Sequence, residues 1–338
     1  MNKGVKSRRI FWCLLPSFTR YSLILLLSGV FLSTVATTGS TSVQIAQRSK
    51  TASQQATHAA AKRLLYEGFK LYKQGTAESL RQAIEKWKQA LPLWQEVGEK
   101  KWEAITLYNI GSVYDSLGQK QQAFNYYNQS LPLSRQVGDK AGEATTLTGI
   151  GNVYNSLGDK QQALKYYNQS LPLSRQVGDK AVEATTLNNI GSVYNSLGDK
   201  QQALKYYNQS LSLKGQVGDK AGEANTLNNI GAVYYSLGDK QQALKYYNQS
   251  LSLKGQVGDK AEEANTLNNI GAVYYSLGDK QQALKYYNQS LPLWRQVGDK
   301  QGEATTLNNI GLVYYSLGDK QQALNFYNQS LSLKGQVG

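Results

Sequence analysis

A block of 40 residues recurs six times, at 99–138, 139–178, 179–218, 219–258, 259–298 and 299–338. The third copy reads DKAVEATTLNNIGSVYNSLGDKQQALKYYNQSLSLKGQVG. The fourth and fifth copies differ only at Gly222/Glu262, Ser252/Pro292, Lys254/Trp294 and Gly255/Arg295. A fixed period of this length marks a stacked solenoid, in which neighbours bury a core that no single repeat could bury alone. The same period constrains function. An enzyme needs different groups converging on one spot, whereas a ladder of equal units presents a long surface. The expectation is therefore a non-catalytic interaction scaffold.

Two helices are legible in each block. In the third copy Ala184, Leu187, Ile190/Gly191, Tyr194 and Leu197 recur at three- and four-residue steps and mark one apolar face. Gly198-Asp199 ends that helix, since glycine takes the left-handed ending conformation. Ala203, Tyr207, Ser210/Leu211 and Val217 form a second stripe, closed by Gly218-Asp219. Small residues at Gly191 and Ala203 allow the two helices to approach closely, and Tyr194 and Tyr207 fill the gap between them. The fold class is all-α.

The formal charge of +14 suggests nucleic acid or a membrane until it is located. Seven basic side chains (Lys3, Lys6, Arg8, Arg9, Arg20, Arg48, Lys50) and no acid lie in residues 1–58. The third repeat sets Lys180, Lys200, Lys205 and Lys214 against Asp179, Glu183 and Asp199, a surplus of one. That is a mixed surface rather than a basic groove. Lys165, Lys205, Lys245 and Lys285 do run beside Tyr166, Tyr206, Tyr246 and Tyr286. Binders of single strands need a continuous positive groove, however, and Asp159, Asp199, Asp239 and Asp279 dilute this one. Nucleic acid is not an expected partner.

Residues 1–39 have a grammar of their own: a basic start, apolar residues 10–18, Arg20, then an uncharged run with LILLLSGVFL. This reads as an export signal cleaved after Ala36 or as far on as Ala46, placing the repeats in the periplasm or outside the cell. The alternative is an uncleaved membrane anchor over 10–36, although its uncharged run is slightly short of a full span. Ser7-Arg8-Arg9-Ile10-Phe11 also resembles a twin-arginine export motif. Residues 40–53 are rich in Ser, Thr, Gln and Ala without an apolar period, and read as a polar linker. Cys13 and His58 are the only residues of their kinds. Cysteine chemistry, a metal site and a cofactor are not expected, and His58 reads as a solvated residue at the start of the array.

Leu187, Ile190, Gly191, Tyr194, Gly198, Ala203, Tyr207 and Ser210 resemble the tetratricopeptide signature W-x2-L-G-x2-Y followed by A-x3-F. Leu stands for the initial Trp, Ser for a usual small Ala, the terminal Pro is missing, and six residues extend the usual 34. Within that family the period and the TLNNIG phrase look most like kinesin light chain and Pins-type arrays. They are similar too to bacterial arrays that continue into a caspase-like CHAT domain. Residues 54–98 resemble a seventh, diverged repeat, with Leu64, Gly68, Leu71, Gly75, Ala83, Trp87 and Ala90 in register once three residues are inserted after Gly75.

The resemblance implies a superhelical array that binds peptides or partner domains on a concave face lined by the first helix of each repeat. The non-core positions of that helix are Thr185, Asn188, Asn189, Ser192 and Asn195 in the third copy. Carried along the array, the expected groove also holds Asn225, Asn228, Asn229, Tyr235, Asn265, Asn268, Asn269, Tyr275, Asn308, Asn309 and Tyr315. Asn188, Asn228, Asn268 and Asn308 form a ladder able to hold a peptide backbone, or instead to bridge neighbouring helices. Variation concentrates on this face: Asp115, Asn155, Asn195, Tyr235, Tyr275 and Tyr315 occupy one position in successive copies. No Lys or Arg occurs at these positions, so capture of an acidic C-terminal tail is not expected. Asn-Gln-Ser recurs as a formal glycosylation sequon at 128, 168, 208, 248, 288 and 328, but its Ser falls on the packing stripe. The last copy lacks a polar capping helix, which leaves three readings open: an exposed last helix, association between copies of the chain as a structural array, or a relative of the CHAT-type arrays without the peptidase domain.

Overall fold

The computed structural model describes residues 38–337, and the described residues are helical throughout apart from turns. In chain order the helices are α1 (Thr38–Tyr72), α2 (Ala77–Val97), α3 (Lys100–Ser116), α4 (Lys120–Gln136), α5 (Lys140–Ser156), α6 (Lys160–Gln176) and α7 (Lys180–Ser196). They continue as α8 (Lys200–Gln216), α9 (Lys220–Ser236), α10 (Lys240–Val257), α11 (Lys260–Ser276), α12 (Lys280–Val297), α13 (Lys300–Ser316) and α14 (Lys320–Val337). Two compact units result, one reaching Asp139 and one starting at Lys140. The expected leader lies outside the described residues, except for Thr38 and Gly39. No helix among the described residues is long and apolar enough to cross a membrane.

Each 40-residue period is two helices and two turns, and a Gly-Asp pair builds most of the turns. Gly198 sits at φ 88°, a left-handed conformation that a side chain would disfavour. Asp199 then turns its carboxylate back on the next helix, Oδ1 accepting from the Gln202 amide at 2.9 Å. Asp179 does the same for Val182 at 3.0 Å. One dipeptide thus satisfies the end of one helix and the start of the next.

Within a pair, Ala184, Leu187, Ile190, Val193 and Ala203 are buried. A Cβ added at Gly191 would lie 2.8 Å from the Tyr207 ring, so glycine and tyrosine fix the approach of α7 and α8. The same lock recurs from Gly111 with Tyr127 to Gly311 with Tyr327, and Gly68 meets Trp87 in the same way. Ser210 is buried and donates to the Ala184 carbonyl at 2.7 Å, so the serine that replaces a usual alanine ties the helix pair. Tyr194 stacks on Tyr206 at 5.4 Å with planes 3° apart.

Three expectations are corrected. Leu197 and Val217, expected on apolar stripes, are 54% and 41% exposed because each is a helix C-cap, where the chain turns away from the core. Residues 40–53, expected as a linker, lie inside α1. Residues 40–67 hold neither Gly nor Pro to interrupt it, and the helix runs on through Gly68 to Tyr72. His58, expected in solvent, is half-buried and packs edge-on against Trp94 at 5.4 Å.

Candidate binding face on the first helices

In the unit that begins at Lys140, successive first helices touch directly: α5 on α7, α7 on α9, α9 on α11 and α11 on α13. These helices therefore line the inner side of this unit. Side chains on that face divide into those that hold the repeats together and those that remain open.

Most of the asparagine ladder belongs to the first kind. Asn188 Oδ1 accepts from Thr226 Oγ1 at 3.2 Å and from Asn229 Nδ2 at 3.3 Å. One period on, Asn228 Oδ1 accepts from Thr266 at 3.4 Å and Asn269 at 3.1 Å. Asn268 turns its Nδ2 to Thr306 Oγ1 at 2.7 Å. Asn189 Nδ2 donates to Asn152 Oδ1 at 2.8 Å. Asn188, Asn189, Asn228, Asn229, Asn268, Asn269 and Asn309 are half-buried, while Asn308 is exposed. Thr185, Asn265 and Tyr275 are also half-buried, and Thr185 returns its hydroxyl to the Ala181 carbonyl of its own helix.

Two neighbouring positions change chemistry together along the array. In the earlier copies the buried tyrosine of the second helix finds an acceptor on the first. Tyr167 Oη donates to Asn152 Oδ1 at 2.8 Å, and Tyr207 shares a hydrogen bond with Ser192. Three residues on, Asn195 Oδ1 accepts from Lys200 Nζ at 2.6 Å, and Asn155 accepts from Lys160 at the same distance. In copies four to six Ser192 becomes Ala232, Ala272 and Leu312, and Asn195 becomes Tyr235, Tyr275 and Tyr315. The turn lysine is redirected: Lys240 donates to the Ser276 carbonyl of the next repeat at 2.6 Å, and Lys280 to that of Ser316. Packing is unchanged, because Gly231 and Gly271 still close on Tyr247 and Tyr287.

The later copies consequently carry a row of phenols. Tyr235 and Tyr315 are 37% and 60% exposed. Burial raises the pKa of Tyr247 and Tyr287 well above the usual phenol value, and the neighbouring phenols Tyr235 and Tyr275 raise it further. Tyr207 in the earlier half is pushed up to about 12, by burial against the opposing bond from Ser192. Burial raises the pKa of Tyr327 in the same sense, and Tyr275 and Tyr315 add to it.

Two lysines reach this region unannounced. Lys214 and Lys254 are 3% and 0% exposed. Lys214 Nζ donates to the Gly222 carbonyl at 3.1 Å and to Thr226 Oγ1 at 2.9 Å. Lys254 Nζ donates to Asn225 Oδ1 and pairs with Glu262 at 3.6 Å. Both come from the second helix, so a survey of first-helix positions misses them. The available signal was spacing: position 214 is the next step of the stripe Ala203, Tyr207, Ser210. No cluster of His, Cys, Asp and Glu able to hold a metal occurs among the described residues.

The tetratricopeptide repeat family profile matches residues 76–136, 127–176, 142–216, 182–256 and 262–336. No curated protein matches the chain. Among solved structures, a signal transduction ATPase with numerous domains and a tetratricopeptide repeat sensor, from Pyrococcus horikoshii, is similar at TM-score 0.66 and 16% identity. That likeness covers 83% of this chain and 43% of that one. A Rap protein complexed with Competence and Sporulation Factor gives TM-score 0.62 at 17% identity, over 82% of this chain and 75% of its own. BtubC (BKLC) from P. vanneervenii gives 0.58 at 18%, over 64% and 92%. The chain belongs to the tetratricopeptide repeat family, and its 40-residue units are a lengthened form of that family's helix pair.

Proposed function

We propose that this chain is a non-catalytic scaffold that binds a peptide-like segment of a partner protein along the inner face of copies four to six. One observation carries the reading. The core positions represented by Ala184, Leu187, Ile190, Gly191, Ala203 and Tyr207 keep their residues in all six copies, while groove positions 192 and 195 switch together from internally bonded polar groups to an apolar residue and a phenol. A position that drifts because it is merely exposed has no reason to change in step with its neighbour and with the lysine of the adjoining turn. Export of the array is the placement that the basic, then apolar, leader supports; the intact mass of the purified chain tests it, and a species starting at Met1 would remove cleavage.

The test is capture on immobilised full-length chain beside a variant with Tyr235→Ala, Tyr275→Ala and Tyr315→Ala. Loss of a specific partner on the variant, with unchanged circular dichroism, is the expected result. Equal capture by both baits overturns the reading. Association between copies has one observation in its favour: Leu324 and Leu331 of α14 are 54% and 68% exposed. A concentration-dependent dimer in sedimentation, lost on Leu331→Lys, would shift the assignment to that role.

A further inference from the structure

Two neighbouring positions near the end of each second helix meet the first turn of the next repeat, and they change as a pair. They read Ser-Arg at 134–135 and 174–175, Lys-Gly at 214–215 and 254–255, and Trp-Arg at 294–295. Arginine accompanies serine or tryptophan, and glycine accompanies lysine. We propose that the two Lys-Gly junctions, which flank copy four, form a hinge between an arm of copies two and three and an arm of copies five and six. The hinge is independent of which partner the groove takes.

The arginine junctions are tied on the outside and neutral within. Arg175 Nε donates to Glu183 Oε1 across the junction at 2.7 Å, and Arg295 Nε to Glu303 Oε1 at 2.6 Å. Ser174 is buried and returns its hydroxyl to the Leu171 carbonyl of its own helix at 2.9 Å. Trp294 is buried against Gly302, where an added Cβ would stand 2.5 Å from the indole.

Both features are lost on either side of copy four. Gly215 and Gly255 have no side chain to reach Glu223 and Glu263, and Glu263 pairs instead with Lys260 of its own helix at 2.9 Å. Packing does not require these glycines, since a Cβ at either would meet nothing within 4 Å. Each therefore only loosens the last turn of its helix through added backbone freedom. Inside the junction a lysine replaces the neutral side chain. Lys214 Nζ bonds to the Gly222 carbonyl and the Thr226 hydroxyl, both neutral. Of the nearby carboxylates, Asp219 caps the Gly222 amide at 2.9 Å, and Glu262, 3.6 Å from Lys254, is 42% exposed. The arginine pair is partly exposed and a modest term by itself; the buried ammonium is the larger. Its lost hydration is returned incompletely by such bonds, and opening the junction restores it. The closed state therefore holds less advantage at a Lys-Gly junction than at an arginine junction.

Two further observations agree. Helix α9 touches α7 and α11 more sparingly than α5 touches α7. The hinge also falls where the groove changes chemistry: copies two and three keep Asn155 and Asn195, whereas copies five and six carry Tyr275 and Tyr315.

Hydrogen–deuterium exchange with mass spectrometry on the full-length chain reads each junction separately, because the first turns differ in sequence: AVEATTL at 181–187, AGEANTL at 221–227 and AEEANTL at 261–267. After correction for intrinsic rates, the helical amides of 221–227 and 261–267 should exchange about tenfold faster than those of 181–187, through local opening of a chain that stays folded. Two paired substitutions restore the arginine and the neutral interior: Lys214→Ser with Gly215→Arg, and Lys254→Ser with Gly255→Arg. Each should slow its own junction to the rate of 181–187, leave the other fast, and leave circular dichroism unchanged. Equal exchange at all three junctions overturns the hinge, and so does a restored pair that leaves its junction as fast as before. The comparison within the parent chain needs no variant, so it decides even where a pair disturbs folding.

Discussion

Lys214 shows how a single side chain sets the pH response of a repeat junction. Lysines are almost never fully buried, and this one sits in a stripe that otherwise packs the helix pair. Burial draws its pKa down to about 8; Asp219 pulls the other way, and repulsion from Lys254 adds to the drop. In the unfolded chain the group returns to about 10.4. Below pH 8 it is charged in both states, and the folded state bears the full desolvation cost. Between about 8 and 10.4 the folded state sheds the proton more readily, so stability rises with pH by roughly 3 kcal/mol over the whole span. The buried phenols act in the opposite sense above about pH 10, where unfolded tyrosines ionise before Tyr207 does. Lys214→Met should therefore be more stable than the parent at pH 7 by roughly 2–3 kcal/mol, with the gap narrowing towards pH 10. Urea unfolding of both proteins at the two pH values reads this directly. A gap that stays constant would remove the buried charge as its cause.

At the level of the helix, what the sequence reveals depends on how far away a residue's partner lies. Gly198-Asp199 is legible because its chemistry is local: a left-handed glycine, then a carboxylate three residues before the amide it caps. The close approach at Gly191 is legible because a small residue interrupts an apolar stripe. Leu197 and Val217 fit the apolar period yet fall outside the core, because periodicity does not say where a helix stops. The sequence alone fits the ladder to groove or bridge equally, since the partner of Asn188 lies 38 residues away on another helix. Lys214 and Lys254 are not legible from the first-helix pattern because they reach this face from the second helices α8 and α10. Two substitutions test the resolved roles. Asn228→Ala leaves the Asn269 amide without an acceptor, while Thr266 keeps its bond to the Glu262 carbonyl at 2.9 Å, and should lower unfolding stability by roughly 1 kcal/mol. Gly231→Ala places a methyl 2.8 Å from the Tyr247 ring. That ring is buried and cannot swing clear, so the expected loss is about 1–3 kcal/mol. An Asn228→Ala chain as stable as the parent in denaturant would return the ladder to the groove.

For the whole molecule, near-identity of the copies makes removal of a period a controlled operation. Residues 200–218 and 240–258 have the same sequence, and α9 and α11 differ only at Gly222/Glu262. Deleting residues 219–258 therefore sets α8 against α11 across the same pair of surfaces that α10 and α11 already share. In a linear array stability is a sum of repeat and nearest-neighbour terms, so the shortened chain loses one of each and gains no foreign junction. It should fold with the same helicity per residue. Its denaturant m-value, which follows the surface exposed, should fall by about one part in seven if the array unfolds as a unit. A larger fall, or a second transition, would show that the copies are not energetically equivalent. The deletion also removes Tyr235 and Tyr247 while keeping Tyr275, Tyr287, Tyr315 and Tyr327. If the phenol row is a site that adds repeat by repeat, the shortened chain should hold a captured partner more weakly than the parent does. An unchanged affinity would mean that the partner is held at a fixed point, and that the repetition serves the scaffold rather than the site.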